Sequence, residues 1–155
     1  MKVKIGKYPD HWPWSNWLYD KFGYSPEQKV KVHIDKWDTW SMDHTLAHIV
    51  LPMLKQLKET KHGAPAVEFK DVPEELMPPD AEAVKKLYME NGETDENFFK
   101  RWDWVLDEMI YAFDCKANKD EVYMRFDDRE QIQKEQERIS NGFRLFGKYY
   151  ENLWD

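Results

Sequence analysis

The final segment of the chain, residues 127–155, carries its most regular hydrophobic pattern. The side chains that form the stripe alternate spacings of four and three residues: Ile132, Gln136, Ile139, Phe143, Phe146, Tyr150 and Leu153. This spacing predicts one long α-helix with a coiled-coil-like seam, opened by the capping pair Asp127 and Glu130. Because a helix with such a stripe has to bury it against other elements, the pattern favours a helical bundle.

Two glycines interrupt this predicted helix. Gly142 and Gly147 each cost about 1 kcal/mol relative to alanine in a helix interior. We therefore predict a close helix contact or a bend that compensates for them.

A second long helix is predicted to begin at Ser41 as N-cap and to run to about Thr60, with a kink at Pro52. At about 100° per residue, one arc of this helix collects the apolar side chains of Met42, Leu46, Ile49, Val50, Met53, Leu54 and Leu57. The opposite side is predicted to carry His44, His48 and Leu51.

A third long helix is predicted over residues 95–115. Its apolar arc consists of Phe98, Trp102, Val105, Met109, Ala112 and Phe113. A shorter helix is predicted from Asp80 as N-cap to Asn91, where Gly92 follows, and residues 63–80 form a long connection. The chain is thus predicted to be mainly α, a bundle of three long helices.

The N-terminal part has a different pattern. Residues 2–6 and 29–35 alternate lysine with β-branched residues, which predicts two half-buried strands that pair as a ribbon. A short helix capped by Ser15 and ended by Gly23 is predicted between them. The whole chain, residues 1–155, is predicted to form a single domain, with the β-ribbon and a Trp-rich segment in residues 1–36 and the helical bundle in residues 41–155.

Composition indicates a folded protein despite a mean hydropathy of −0.89, because 15% of the residues are aromatic and disordered chains are poor in aromatics. The net charge of −7 is uneven. Residues 1–36 contain seven lysines and four acids, a net charge of +3, whereas the rest of the chain has a net charge of −10. An acidic body argues against binding duplex nucleic acid or an anionic membrane.

The single Cys115 excludes an intramolecular disulfide and is typical of a reducing compartment. No apolar run approaches the roughly 20 residues of a membrane span, and the N-terminus lacks the apolar region of a signal peptide. These features predict a cytosolic protein without a membrane partner.

The segment from Trp37 to His48 contains most of the residues suited to ligand binding or catalysis. His44 and His48 are four residues apart, so they project from one helical face, with Asp43 beside them. Such a pair can bind zinc or another divalent transition metal when further ligands are present. The alternative, which we favour, is that both histidines are packing or surface residues. The zincin motif is absent because Thr45 follows the first histidine.

Trp37 and Trp40 in the same segment form a candidate ligand site. With Lys36 beside them and Arg144 and Lys148 on the last helix, they can grip an aromatic anion. Lys29 and Lys31 of the ribbon add positive charge. The alternative is that both tryptophans pack where the strand meets the helix, because clusters of rings are usually core.

Cys115 and Glu108 are two further residues with reactive or titratable side chains. Cys115 is predicted to be a buried structural thiol rather than a nucleophile. Glu108, which lies between aromatic residues, is predicted to form a structural ion pair with Arg101 rather than to act as a general acid. The chain also lacks a Gly-rich phosphate loop and a Gly-x-Ser-x-Gly elbow, and no complete catalytic set is visible.

Parts of the chain resemble a family of uncharacterised tailed-bacteriophage proteins. The similar segments are residues 31–47 (with Lys-Trp-Asp-Thr-Trp-Ser-Met-Asp-His-Thr-Leu-Ala), 51–63, 104–110 and 141–150. The resemblance covers about half of the chain and brings no activity, cofactor or catalytic residue. It implies a viral accessory or virion protein made in the cytoplasm of an infected bacterial host.

These observations favour a non-enzymatic phage accessory protein that binds or sequesters a host factor or a nucleotide-like small molecule. One alternative is a structural or assembly protein that forms a homo-oligomer through the last helix or the ribbon edge. The other is a metal-dependent hydrolase that uses Asp43, His44 and His48.

Overall fold

The computed structural model describes residues 2–5, 14–23, 30–118 and 122–154. The chain divides into two compact units, Met1–Thr45 and Leu46–Asp155. The single domain predicted from the sequence stays a prediction.

The first unit contains the predicted ribbon. Strands β1 (Lys2–Ile5) and β2 (Val30–His33) pair antiparallel, with Val3 opposite Val32 and Lys4 opposite Lys31. The predicted pairing is therefore confirmed. The prediction of half-buried strands is wrong for β2, because all four of its residues are exposed.

Helix α1 (Ser15–Phe22) also lies in the first unit, between the two strands in sequence. It ends as predicted at Gly23, whose φ of 63° is the left-handed conformation that glycine adopts readily. The predicted N-cap is wrong, because Trp14 takes that position and Ser15 is already the first helical residue.

In addition to α1, the described part of the chain contains the helices α2 (Met42–Thr60), α3 (Ala81–Asn91), α4 (Phe98–Asn118), α5 (Val122–Arg125) and α6 (Arg129–Lys148). The chain is mainly helical with a small two-stranded sheet, as predicted. However, its described residues form five helices of eight residues or more, rather than three. None of these helices has the length and apolar character needed to span a bilayer.

The core of the second unit is one hydrophobic cluster. It joins Leu51 and Leu54 of α2, Trp102 and Met109 of α4, and Leu145 of α6. The connection before α3 adds Val67 and Val72. This connection contains two short 3₁₀ turns, Phe69–Asp71 and Glu74–Leu76.

The buried face of α2 differs from the predicted arc. Ala47, Leu51 and Leu54 are buried, whereas Leu46 and Met53 are exposed. Leu51 had been placed on the opposite side of the helix. The physical reason is that Ala47 is small: it adds little to a hydrophobic count, yet it allows neighbouring elements to approach this side of the helix.

The closest helix contact in the second unit is between α4 and α6, and it depends on Gly142. A Cβ atom added at Gly142 would lie 2.6 Å from the Cβ of Ala112 and still closer to the carbonyl oxygen of Glu108. The predicted close contact is therefore confirmed at Gly142. At Gly147 there is no such contact, because nothing lies within 4 Å of the corresponding position, and the alternative of a bend there stays a prediction.

This contact also shifts the buried stripe of α6. Gly142, Leu145 and Tyr149 are buried, whereas Gln136 and Tyr150 of the predicted seam are exposed. The stripe moves by about one residue because the glycine, which has no side chain, lies at the centre of the interface. The cap of α6 is corrected too: the Asp128 carboxylate, not that of Asp127, accepts a hydrogen bond from the Glu130 amide, at 3.2 Å.

Candidate functional site

The turn that follows β2 is organised by its own side chains. Asp35 Oδ1 accepts a hydrogen bond from the Trp37 amide (3.0 Å), and Asp38 Oδ2 accepts one from the Asp35 amide (2.8 Å). The Thr45 hydroxyl donates to the Asp38 carbonyl oxygen (3.1 Å), and the Trp40 amide donates to the Trp37 carbonyl oxygen (3.1 Å). Aspartate favours turns because its carboxylate can accept from nearby backbone amides.

This turn presents two tryptophans to solvent. The side chain of Trp37 is 63% exposed and that of Trp40 is 82% exposed. Their ring centroids are 5.9 Å apart, with the planes tilted by 45°. Lys36 Nζ lies 5.0 Å from the centroid of the Trp37 ring, a cation–π distance. The two rings thus form an exposed aromatic pair rather than part of a core. We call residues 35–40 the tryptophan turn.

The other predicted ligand residues of the first unit lie on the ribbon. Lys31 is exposed on β2. Lys29 lies outside the described residues.

Arg144 and Lys148 belong to the second unit, where they bind Asp71. Arg144 Nη1 lies 2.8 Å from Asp71 Oδ1, and Lys148 Nζ contacts Asp71 Oδ2. The Tyr149 hydroxyl donates to the same Oδ2 atom at 2.8 Å, and it accepts from the Glu68 amide at 3.0 Å. These four side chains, with Asp71 at the centre, are called the Asp71 cluster. The cluster ties the connection before α3 to the end of α6.

The electrostatics of the Asp71 cluster follow from its burial. Burial alone would raise the pKa of Asp71, but hydrogen bonds from Lys148, Tyr149 and Arg144 outweigh it and hold the pKa below its ordinary value. For Lys148, burial would lower the pKa, whereas hydrogen bonds to Asp71 and Glu68 raise it overall. Both basic side chains thus have a structural partner in this unit.

The candidate metal ligands lie at the start of α2. Asp43, His44 and His48 are exposed. Within residues 2–5, 14–23, 30–118 and 122–154, no group of three or more His, Cys, Asp or Glu side chains is arranged to hold a metal ion. A metal site at these three residues stays a prediction that no observed ligand geometry supports.

Glu108 forms an ion pair, but not with the predicted partner. Arg138 of α6 binds it through both Nε and Nη2, with Nη2 at 2.7 Å from Oε1. Arg101 instead binds Asp95. The predicted pair with Arg101 is wrong, because the close approach of α6 at Gly142 brings a partner from another helix that spacing along α4 cannot reveal.

Cys115 is buried, as predicted. Its polar surroundings were not foreseen, since they include Arg125 of the unpredicted helix α5. Tyr111 interacts with Cys115, and burial together with a hydrogen bond to Glu135 raises the pKa of Tyr111 to about 12. Arg138 also covers the Tyr111 ring, with its guanidinium carbon 3.7 Å from the centroid.

In comparisons with known proteins, no family model, curated protein or solved structure matched this chain. Support for the candidate sites therefore comes from their geometry alone.

Proposed function

We propose that the chain is a non-enzymatic binding protein that captures a flat aromatic ligand, of nucleoside or nucleotide type, on its tryptophan turn. The observation that carries the proposal is the exposure of Trp37 and Trp40 on a turn held by its own hydrogen bonds. Exposed, clustered apolar side chains mark binding surfaces, and tryptophan is enriched where binding energy concentrates.

The geometry of the pair restricts how such a ligand binds. The ring centroids are 5.9 Å apart and the planes are tilted by 45°, so the pair leaves no parallel slot for a third ring. A planar ligand therefore stacks on an outer face of one ring and contacts the edge of the other. Base–aromatic stacking contributes about 1–3 kcal/mol per base, and the preformed turn lowers the entropic cost of binding.

Charge disfavours a strongly anionic ligand. Lys36 provides a cation at the face of Trp37. Asp35, Asp38 and Asp43 place three carboxylates in the same stretch of the chain, and these repel a polyphosphate. The proposed ligand is accordingly a nucleoside or a nucleoside monophosphate rather than a triphosphate.

The biological setting proposed for this activity rests on the resemblance of the Trp37–Ala47 segment to phage proteins. In that setting the chain is an accessory protein, made in the cytoplasm of the infected bacterium, that sequesters a host metabolite or a host factor bearing such a ring.

Replacing either tryptophan tests the proposal. Trp37→Ala and Trp40→Ala are both expected to weaken binding of a nucleoside monophosphate. The loss is expected to be at least about fivefold for the ring on which the base stacks, since that variant removes about 1 kcal/mol or more of stacking. Isothermal calorimetry against a panel of nucleosides, monophosphates and triphosphates measures this. Lys36→Gln is expected to weaken monophosphate binding and to leave nucleoside binding unchanged.

Trp154→Ala is the matched control, because Trp154 is also an exposed tryptophan, at 71%, but lies in the second unit. It is expected to bind like the unmodified protein. An equal loss in this variant, or a panel in which no compound binds, would contradict the proposal.

A second candidate function, assembly, is favoured by the ribbon. Both strands of a two-stranded sheet are edge strands, and all four residues of β2 are exposed, including Val30 and Val32. A lone ribbon is marginally stable in water, which favours edge pairing between copies. Light scattering over a range of concentrations tests this: a mass that rises with concentration and falls in Val32→Lys supports assembly, and a monomer throughout opposes it.

A further inference from the structure

A cleft of about 360 Å³ opens in the second unit between α3, the start of α4 and the connection before α3. Its walls are almost entirely apolar and are formed by Val67, Phe69, Val84, Tyr88, Met89 and Phe98. The volume lies at the lower end of the range of about 300–1,000 Å³ found for small-molecule sites. It suits a molecule of one or two rings.

The walls of this cleft are held in place by contacts among the side chains that line it. The rings of Tyr88 and Phe98 stack, with centroids 5.6 Å apart and planes 29° from parallel. The buried guanidinium of Arg101 lies 5.0 Å from the Phe69 ring centroid and is anchored by Asp95 and by the Leu76 carbonyl oxygen, the latter at 3.1 Å. A preformed, aromatic-walled cleft loses little entropy when a flat ligand enters.

Charged side chains at the mouth of the cleft are Glu68, Lys85 and Glu93. Glu68 is compensated by Lys70 at 2.7 Å and by Lys148 at 2.9 Å. Lys85 Nζ lies 5.6 Å from the Phe69 centroid, and the ion pairs observed in the described part of the chain include none with Lys85. Glu93 also lines the cleft. The ammonium group at the aromatic wall therefore favours one anionic group on the ligand, and Glu93 disfavours a second.

We propose that this cleft binds a small aromatic monocarboxylate, with its ring against Phe69, Tyr88 and Phe98 and its carboxylate at Lys85. Met89, which is flexible and largely exposed at the mouth, adapts to the outer edge of the ring. The cleft shares no residue with the tryptophan turn, so this site is independent of the proposed function.

A matched pair of ligands tests the assignment. Naphthoate and naphthamide have the same ring system and differ in charge, and binding of both to the full chain can be titrated by ligand-observed nuclear magnetic resonance. Naphthoate is expected to bind at least about threefold more tightly, as a partly exposed charge pair allows. Lys85→Gln is expected to abolish this preference.

Lys86→Gln is the matched control, because Lys86 is the next residue of α3, has a side chain 73% exposed and does not line the cleft. It is expected to keep the preference. Val84→Trp, which fills the cleft, is expected to abolish binding of both ligands while circular dichroism remains helical.

Three results would overturn the proposal: no binding of either ligand, equal binding of the two, or an unchanged preference in Lys85→Gln. The lysine variants decide the outcome even if Val84→Trp does not fold, since Lys85 is an exposed residue. The double variant Trp37→Ala, Trp40→Ala is expected to bind naphthoate normally, which separates this site from the tryptophan turn.

Discussion

Gly142→Ala is expected to lower the free energy of unfolding by about 2 kcal/mol, within the range of about 1–3 kcal/mol for overpacking. The added methyl group collides with the Cβ of Ala112 and with backbone at Glu108. Because backbone cannot rotate away as a side chain can, α4 and α6 have to separate. The gain in helix propensity offsets only about 1 kcal/mol. Thermal unfolding is expected to show a midpoint about 4–8 °C lower.

Gly147→Ala is the control for this experiment, since it makes the same change in the same helix where nothing lies within 4 Å. It is expected to leave the midpoint unchanged or to raise it slightly, through helix propensity alone. Equal midpoints for the two variants would show that the α4–α6 contact at Gly142 is not as close as described.

Asp71→Asn is expected to have a larger effect, a loss of about 3 kcal/mol, at the lower end of the range for breaking a buried ion pair. The Asp71 side chain is only 1% exposed. The amide keeps an acceptor for Tyr149, but the charges of Arg144 and Lys148 lose their partner. Both basic side chains reach water in part, which limits the cost. Denaturant unfolding measures the effect, and Glu75→Gln, an exposed neighbour, serves as control.

The same cluster predicts how stability depends on pH. The pKa of Asp71 is below its ordinary value of 3.8 in the folded state, so the unfolded state binds a proton more readily. The stabilisation is therefore fully present above about pH 4 and is lost as the pH falls through the lowered folded pKa. The difference in unfolding free energy between the unmodified chain and Asp71→Asn should shrink in this acidic window. A difference independent of pH would contradict this account of the Asp71 cluster.

Local signals explain why the helices were predictable. Asp80 caps α3 by accepting a hydrogen bond from the Ala83 amide at 2.9 Å, and Gly92 ends that helix with a φ of 70°. Such caps depend on a few adjacent residues, so they can be recognised without knowledge of tertiary contacts. The bounds predicted for α2, near Ser41 and Thr60, also agree with the structure.

The packing faces were harder to predict, because the smallest residues decided them. Ala47 and Gly142 contribute little to a hydrophobic pattern, yet each lies on the buried side of its helix. A count of large apolar residues therefore rotates the predicted face toward Met53 and Tyr150, both of which are exposed. The pairing of Glu108 with Arg138 was missed for the same reason, since it depends on the helix approach that Gly142 permits.

The two candidate sites also differ in how readily the sequence predicts them. The tryptophan turn was visible in the sequence because its residues are contiguous. The cleft beside α3 joins residues as distant as Val67 and Arg101, and only the fold brings these together. The sequence contains the aromatic residues Phe69, Tyr88 and Phe98, but nothing in their spacing indicates that they lie together.

The closeness of Trp37 and Trp40 has a spectroscopic consequence. Two indole rings with centroids 5.9 Å apart and planes tilted by 45° are near enough for their electronic transitions to couple. Such coupling produces a pair of bands of opposite sign in far-ultraviolet circular dichroism, superimposed on the helical signal. The tryptophan turn thus carries its own optical reporter, and a ligand that changes the angle between the rings would alter those bands without any attached label.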